Sequence, residues 1–129
     1  MNATPIQPAD LPTPKGHYVP GLRHGDLVFV SGQLPLDPAT GAVVSPDITA
    51  QTHRALDQVA SILRAGGSDL SQVLQLTIYL TDLAHWGAVN TVCAERFGTH
   101  RPTRAIVPCG PLHFGALVEI TAVGCRRGS

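Results

Sequence analysis

The sequence predicts an α+β domain in which two helices cover one face of a mixed β-sheet, and three observations carry that prediction. Two stretches repeat their apolar residues at helical spacing, the stretch between them alternates apolar and polar residues, and further strand-like runs lie toward both ends. Strands, helix, strand, helix, strands in that order pack most economically with both helices on one side of one sheet. The 129 residues suffice for one hydrophobic core and not for two, so a single domain over 1–129 is expected.

The elements follow in order. Pro5, Pro8, Pro12 and Pro14 bar a helix from the opening segment, which should run extended along the surface. Tyr18 to Arg23 and Leu27 to Ser31 read as strands around His24-Gly25-Asp26, a hairpin connection, and Asp37-Pro38-Ala39-Thr40-Gly41 has the chemistry of a second turn. Ser45-Pro46 reads as an N-cap with proline in the first turn. Ile48, Ala55, Leu56, Val59, Ile62 and Leu63 then keep helical spacing until Gly66-Gly67 ends it. Leu74, Leu76, Ile78 and Leu80 alternate with Gln75, Thr77 and Tyr79, the pattern of a strand with unlike faces. Asp82 is expected to cap a second helix with Leu83, Trp86, Val89, Cys93 and Phe97 as its apolar stripe, ending at Gly98. Strands return from Thr103 to Val107 and from Ala116 to about Cys125, separated by Pro108-Cys109-Gly110-Pro111.

Charge and cysteine usage exclude several classes. Nine Lys+Arg offset nine Asp+Glu without a run of either sign, so neither nucleic acid nor an anionic membrane is an expected partner. No basic segment followed by an apolar run opens the chain and no apolar run reaches membrane-spanning length, which predicts a soluble, unexported protein. Cys93, Cys109 and Cys125 are odd in number and widely spaced, fitting reduced thiols in the cytoplasm. The six histidines show no helical pair with an acidic neighbour, and no metal site is expected.

The last strand also predicts assembly. Val118, Ile120 and Ala122 share one face, and Leu117, Glu119, Thr121 and Val123 the other. Two helices cover only one of these, and a second semi-apolar face left in water is relieved by packing against other copies.

Gly16-His17-Tyr18-Val19-Pro20-Gly21, Val30-Ser31-Gly32-Gln33-Leu34-Pro35, Val89-Asn90, Arg101-Pro102-Thr103-Arg104-Ala105 and Val118-Glu119-Ile120 resemble, in order and over nearly the whole chain, successive motifs of the Rid family (YjgF/YER057c/UK114). The resemblance implies a chorismate-mutase-like fold and a homotrimer with its sheets in a central barrel and a ligand cleft at each subunit interface. It further implies hydrolysis of enamine or imine intermediates to 2-oxo acids and ammonia, with no metal or organic cofactor. Arg104 would then bind the substrate carboxylate, Tyr18, Ser31, Gly32 and Ile106 would line the cleft, and Asn90 would reach it from a neighbouring subunit. The chemistry of arginine agrees, because a planar guanidinium presents two parallel N–H bonds to a carboxylate, and the strand Arg104 enters is expected to be central. Ser31-Gly32 reads equally as turn chemistry or as a backbone opened to a ligand. Tyr18 also suits a packed aromatic at the hairpin entry, and Asn90 a solvent-facing helix position. Cys109 lacks an activating base, and His113 reads as a loop histidine near the cleft mouth.

One position departs from the family pattern. Deaminating members carry a glutamate where this chain has Thr121, two residues beyond Glu119. The family mechanism uses that carboxylate to place and activate water. A threonine hydroxyl can only orient a water through hydrogen bonds, and Glu119 sits about 6–7 Å away along the strand. Three functions are therefore weighed: an imine deaminase with Arg104 and Thr121 at its centre, a non-catalytic module binding small imino or 2-oxo acids, and an enzyme for another reaction of a carboxylated metabolite.

Overall fold

The computed structural model describes residues 2–128. Its elements are β1 (Thr4–Ile6), β2 (Gly21–His24), β3 (Leu27–Gln33), α1 (Ile48–Ala65), β4 (Val73–Leu80), α2 (Trp86–Phe97), β5 (Thr103–Pro108) and β6 (Val118–Cys125). The strands form one six-stranded sheet in the order β1-β2-β3-β6-β4-β5. β6 lies antiparallel between β3 and β4, whereas β4 and β5 run parallel, joined by the helical crossover a parallel pair requires. This is the α+β arrangement the periodicities predict, and no helix among the described residues is long and apolar enough to cross a membrane.

The core sits between the helices and one sheet face. Val28, Leu76, Ile78, Leu80, Val118 and Ile120 are wholly excluded from water beneath Leu56, Val59, Ile62 and Leu63 of α1 and Val89 of α2. Gly21 permits this approach: a Cβ there would stand 2.7 Å from Ile62 Cγ2 and 2.9 Å from the Phe29 carbonyl, so backbone and helix meet where no side chain fits.

Several boundaries differ from the sequence reading, each for a local reason. The proline-rich start is not merely extended, because Thr4–Ile6 pairs with β2; proline is tolerated there since an edge strand has N–H positions that need no partner. The first hairpin strand begins at Gly21 and leaves Tyr18 outside the sheet. Asp47, not Ser45, caps α1: its carboxylate accepts from the Ala50 N–H, and Ser45 Oγ accepts from the Asp47 N–H in a preparatory turn. In β4 a register shift between Val73 and Gln75 buries Val73 and exposes Leu74, as one extra residue in a ladder must. Asp82 caps a short 3-10 turn, Leu83–His85, ahead of α2. The buried stripe of α2 is accordingly Val89, Val92, Cys93 and Phe97, while Leu83 and Trp86 stay exposed. β5 is an edge strand rather than a central one, and the last strand begins at Val118 rather than Ala116.

The other sheet face is uncovered by this chain. Along β6, Val118, Ile120 and Ala122 are buried and Glu119, Thr121 and Val123 are half-buried. Phe29, opposite Val123, is 41% exposed.

Candidate functional site

The edge position of β5 creates a cleft. The chain turns at Gly98–Thr99 after α2, and Pro102 disfavours a helical conformation at Arg101, so β5 is entered with Arg104 opposite Leu76 in the parallel register. Paired residues share a face, which puts Arg104 on the side that α2 covers. Its Nη1 donates to Asn90 Oδ1 at 2.9 Å, and its guanidinium carbon lies 5.5 Å from the centroid of the Trp86 ring, a cation–π distance. Trp86 and Asn90 are four residues apart and so share a helix face. Of the five N–H donors of a guanidinium, one is thus engaged and the group is braced from two directions.

The cleft beside it has a volume of about 480 Å³ and is walled by Leu76, Asn90, Cys93, Phe97, Arg101 and Arg104 among others. That size suits a small metabolite. Its floor is apolar, and among the described residues no Asp or Glu lines it. Burial pushes the Cys93 thiol above its ordinary value, outweighing the opposite pull of Arg104. At neutral pH Cys93 is a protonated, apolar part of the wall and not a nucleophile.

The remaining expected site residues lie elsewhere in this chain. Ile106 is opposite Ile78 and packs partly against the core. Tyr18 is exposed ahead of β2. Ser31 Oγ donates to the Val19 carbonyl at 2.7 Å and its N–H to the Pro20 carbonyl at 2.9 Å, so both of its donors are spent on the chain itself. A Cβ on Gly32 would sit 2.5 Å from Glu119 Oε2; the glycine therefore makes room for that carboxylate. Thr121 is opposite Thr77 on the uncovered face, two strands and about 10 Å from β5 and on the other side of the sheet from Arg104. His113 lies beyond the far end of β5, its ring 5.5 Å from that of Phe114. Asn90 meets Arg104 within one chain, where the resemblance implied a reach from a neighbour. Trp86, Cys93 and Arg101 were not expected at the cleft. Trp86 and Cys93 carried a signal in their spacing of four and three from Asn90, and Arg101 in the motif it shares with Arg104. Among the described residues no three His, Cys, Asp or Glu side chains converge as metal ligands would.

Comparison with known proteins covers the chain almost end to end. The model of a family described as Endoribonuclease L-PSP matches residues 9–125. The chain is similar to the RutC family protein y4sK of Sinorhizobium fredii, with 43% identity over 92% of this chain and 94% of that one. Among solved structures it resembles YyfA of Yersinia pestis, described as a protein of unknown function of the conserved Rid protein family, at 30% identity and a TM-score of 0.91 over 96% of this chain and 99% of the other. It also resembles TdcF of E. coli with bound serine, at 32% identity and a TM-score of 0.89 over 95% and 98%.

Proposed function

The chain belongs to the Endoribonuclease L-PSP family, which includes the Rid and YjgF proteins, and on that premise we propose that it is a Rid-type enamine/imine deaminase with Arg104 as its carboxylate clamp. The observation that carries the reading is the Arg104 guanidinium, braced by Asn90 and Trp86 at the wall of a small cleft without a competing carboxylate. Such a fork fixes both the position and the plane of a substrate carboxylate. TdcF, which carries bound serine, is a relative whose ligand has the required group. The family description names an endoribonuclease, but one cleft of about 480 Å³ in a chain of balanced charge suits a small anion better than a polynucleotide.

In the proposed reaction the enamine first tautomerises to the imine. Water then adds to the C=N carbon, the nitrogen takes up protons, and the C–N bond breaks to release ammonia and leave a 2-oxo acid. Arg104 holds the carboxylate, and Asn90 and Leu76 shape the side of the cleft nearest it. The chain acts as a cytoplasmic homotrimer around a central barrel, the uncovered faces of three sheets packing together. A neighbouring copy then brings its Tyr18, Ser31, Gly32 and Thr121 to the open side of the cleft, where Thr121 orients the water. Generating 2-iminopropionate in situ tests this. Its disappearance should accelerate with protein and lose the acceleration in Arg104→Ala, and no acceleration across several imino acids with the oligomer intact would sink the enzymatic reading.

A second reading has its own support. Thr121 in place of the family glutamate, with no carboxylate along the Arg104 cleft, favours a module that binds small 2-oxo acids without turning imines over. A positioned acid/base contributes about 10²- to 10⁴-fold. Thr121→Glu should therefore create deaminase activity if the parent lacks it, while Arg104→Ala abolishes 2-oxo acid binding under either reading.

A further inference from the structure

We propose that the cleft selects a dianion: a small dicarboxylate in which Arg104 holds the carboxylate next to the reacting carbon and Arg101 receives a second carboxylate at the far end of the ligand. The inference rests on the Arg104 clamp and names the substrate class it serves.

Two guanidiniums line one cleft. Arg101 and Arg104 both form its wall, together with Asn90 and the apolar floor of Leu76 and Phe97. Arg104 is bonded to the neutral Asn90 amide, and among the described residues the Arg101 side chain has no hydrogen-bond or ion-pair partner. The other arginines that answer a carboxylate, Arg96 with Asp57 and Arg127 with Asp69, do so away from the cleft. His100 lines the same wall, but its Nε2 is 2.6 Å from the Val73 carbonyl. A carbonyl only accepts, so that nitrogen donates and is already engaged. Two like charges without a counter-ion in one concave, partly apolar space raise each other's energy, and an anion that spans them relieves both.

The geometry sets the ligand's length. Pro102 disfavours a turned conformation at Arg101, and the three steps from Arg101 to Arg104 along extended backbone cover about 10 Å. Two flexible side chains leaning into one cleft close that span to the reach of a four- or five-carbon diacid. Ordinary exposed arginines are common. Arg101 differs in sharing a cavity with the clamp while no acidic residue shares it. A monocarboxylate leaves Arg101 unanswered. A diacid gains a second charge-assisted pair, which by the usual strength of such bonds amounts to roughly a tenfold to hundredfold gain in affinity.

The test compares two probes of equal carbon count, 2-oxopentanedioate and 2-oxopentanoate, by calorimetry on the full chain at low and at physiological salt. The parent should bind the diacid at least about tenfold more tightly. Arg101→Ala should erase that preference while leaving 2-oxopentanoate affinity within about twofold, Arg101→Lys should restore part of it, and Arg104→Ala should abolish both. Equal affinity of the parent for the two probes, or an equal fall for both in Arg101→Ala, overturns the dianion assignment and leaves the Arg104 clamp standing. Binding of both probes that survives Arg104→Ala overturns the clamp, and the assignment with it. Thermal melts matching the parent's establish that the variants are folded.

Discussion

The two faces of one sheet differ more than the alternation along any single strand suggests. On the covered face Val28, Leu76, Ile78, Leu80, Val118 and Ile120 lose all contact with water. On the other, Phe29, Val123, Thr121 and Glu119 remain open or half-open. The first face specifies the fold of the chain, because helices with matching stripes are supplied in cis. The second carries enough apolar surface to need a cover that this chain does not supply. The candidate site divides along the same line: Arg104, Asn90 and Trp86 gather on the helix side at the sheet's edge, and Thr121 is on the uncovered side.

The strongest way to break this contrast is to truncate one residue on each face. Ile120→Ala removes a wholly buried side chain from the centre of the sheet and should lower stability by about 2–5 kcal/mol in urea unfolding. Thr121→Ala, its immediate neighbour with the opposite orientation, should cost less than about 1 kcal/mol. Equal costs would mean that the faces are not distinct in energy.

Charging the uncovered face probes assembly separately from folding. Val123→Glu puts a carboxylate opposite Phe29, where it would have to be desolvated in any face-to-face packing of copies. Sedimentation should show the proposed trimer falling to monomer while far-UV circular dichroism keeps the mixed helix and strand signal. A parent that is already monomeric would end the barrel proposal.

Within the cleft, the brace around Arg104 should matter less than Arg104 itself. Asn90→Ala removes a hydrogen bond to a charged group and Trp86→Ala the aromatic ring beside it. Each should weaken 2-oxo acid binding by roughly threefold to thirtyfold, with an unchanged melting temperature, since Trp86 is exposed. A loss of stability without a loss of affinity would instead make Trp86 a packing residue.

How much of this was legible in the sequence depends on which interaction decided each feature. Helix α1 and strand β6 were readable because one periodicity governs each throughout. The start of α1 is misread because Ser45 and Asp47 both have capping chemistry, and the sequence does not show that Ser45 serves the turn before the helix while Asp47 accepts from the Ala50 N–H. Trp86 was assigned to the core stripe because periodicity cannot see that the 3-10 turn at Leu83–His85 delays the helix. Arg104 was recognisable as a candidate from its motif, yet its place on an edge strand was not, because strand order is set by long-range pairing. Gly32 shows the same limit. The residues around it read equally as turn chemistry or as a ligand approach, and neither reading sees that the room its missing side chain leaves is taken by Glu119, distant in sequence and adjacent in the sheet.

The smallest effect concerns neither face. Asp10 and Asp69 hold straps outside the sheet, and both carboxyls lie below their ordinary value of 3.8. For Asp10 the main cause is the Ser61 hydroxyl, which donates to it at 2.6 Å; for Asp69 it is the Ser71 hydroxyl, with Arg127 adding to it. A carboxyl whose value is lowered by folding contributes stability that is present above its unfolded value and is lost as pH falls through the lower folded one. Asp10→Asn with Asp69→Asn should therefore cost on the order of 1 kcal/mol at pH 7, the exposed Asp10 being well screened and Asp69 half-buried. The gap to the parent should narrow as urea midpoints are followed downward from pH 5, past 3.8 and on through the lowered folded values. A gap that persists in acid would mean that these side chains act through neutral packing, and the acid sensitivity of the fold would then have to come from the sheet faces after all.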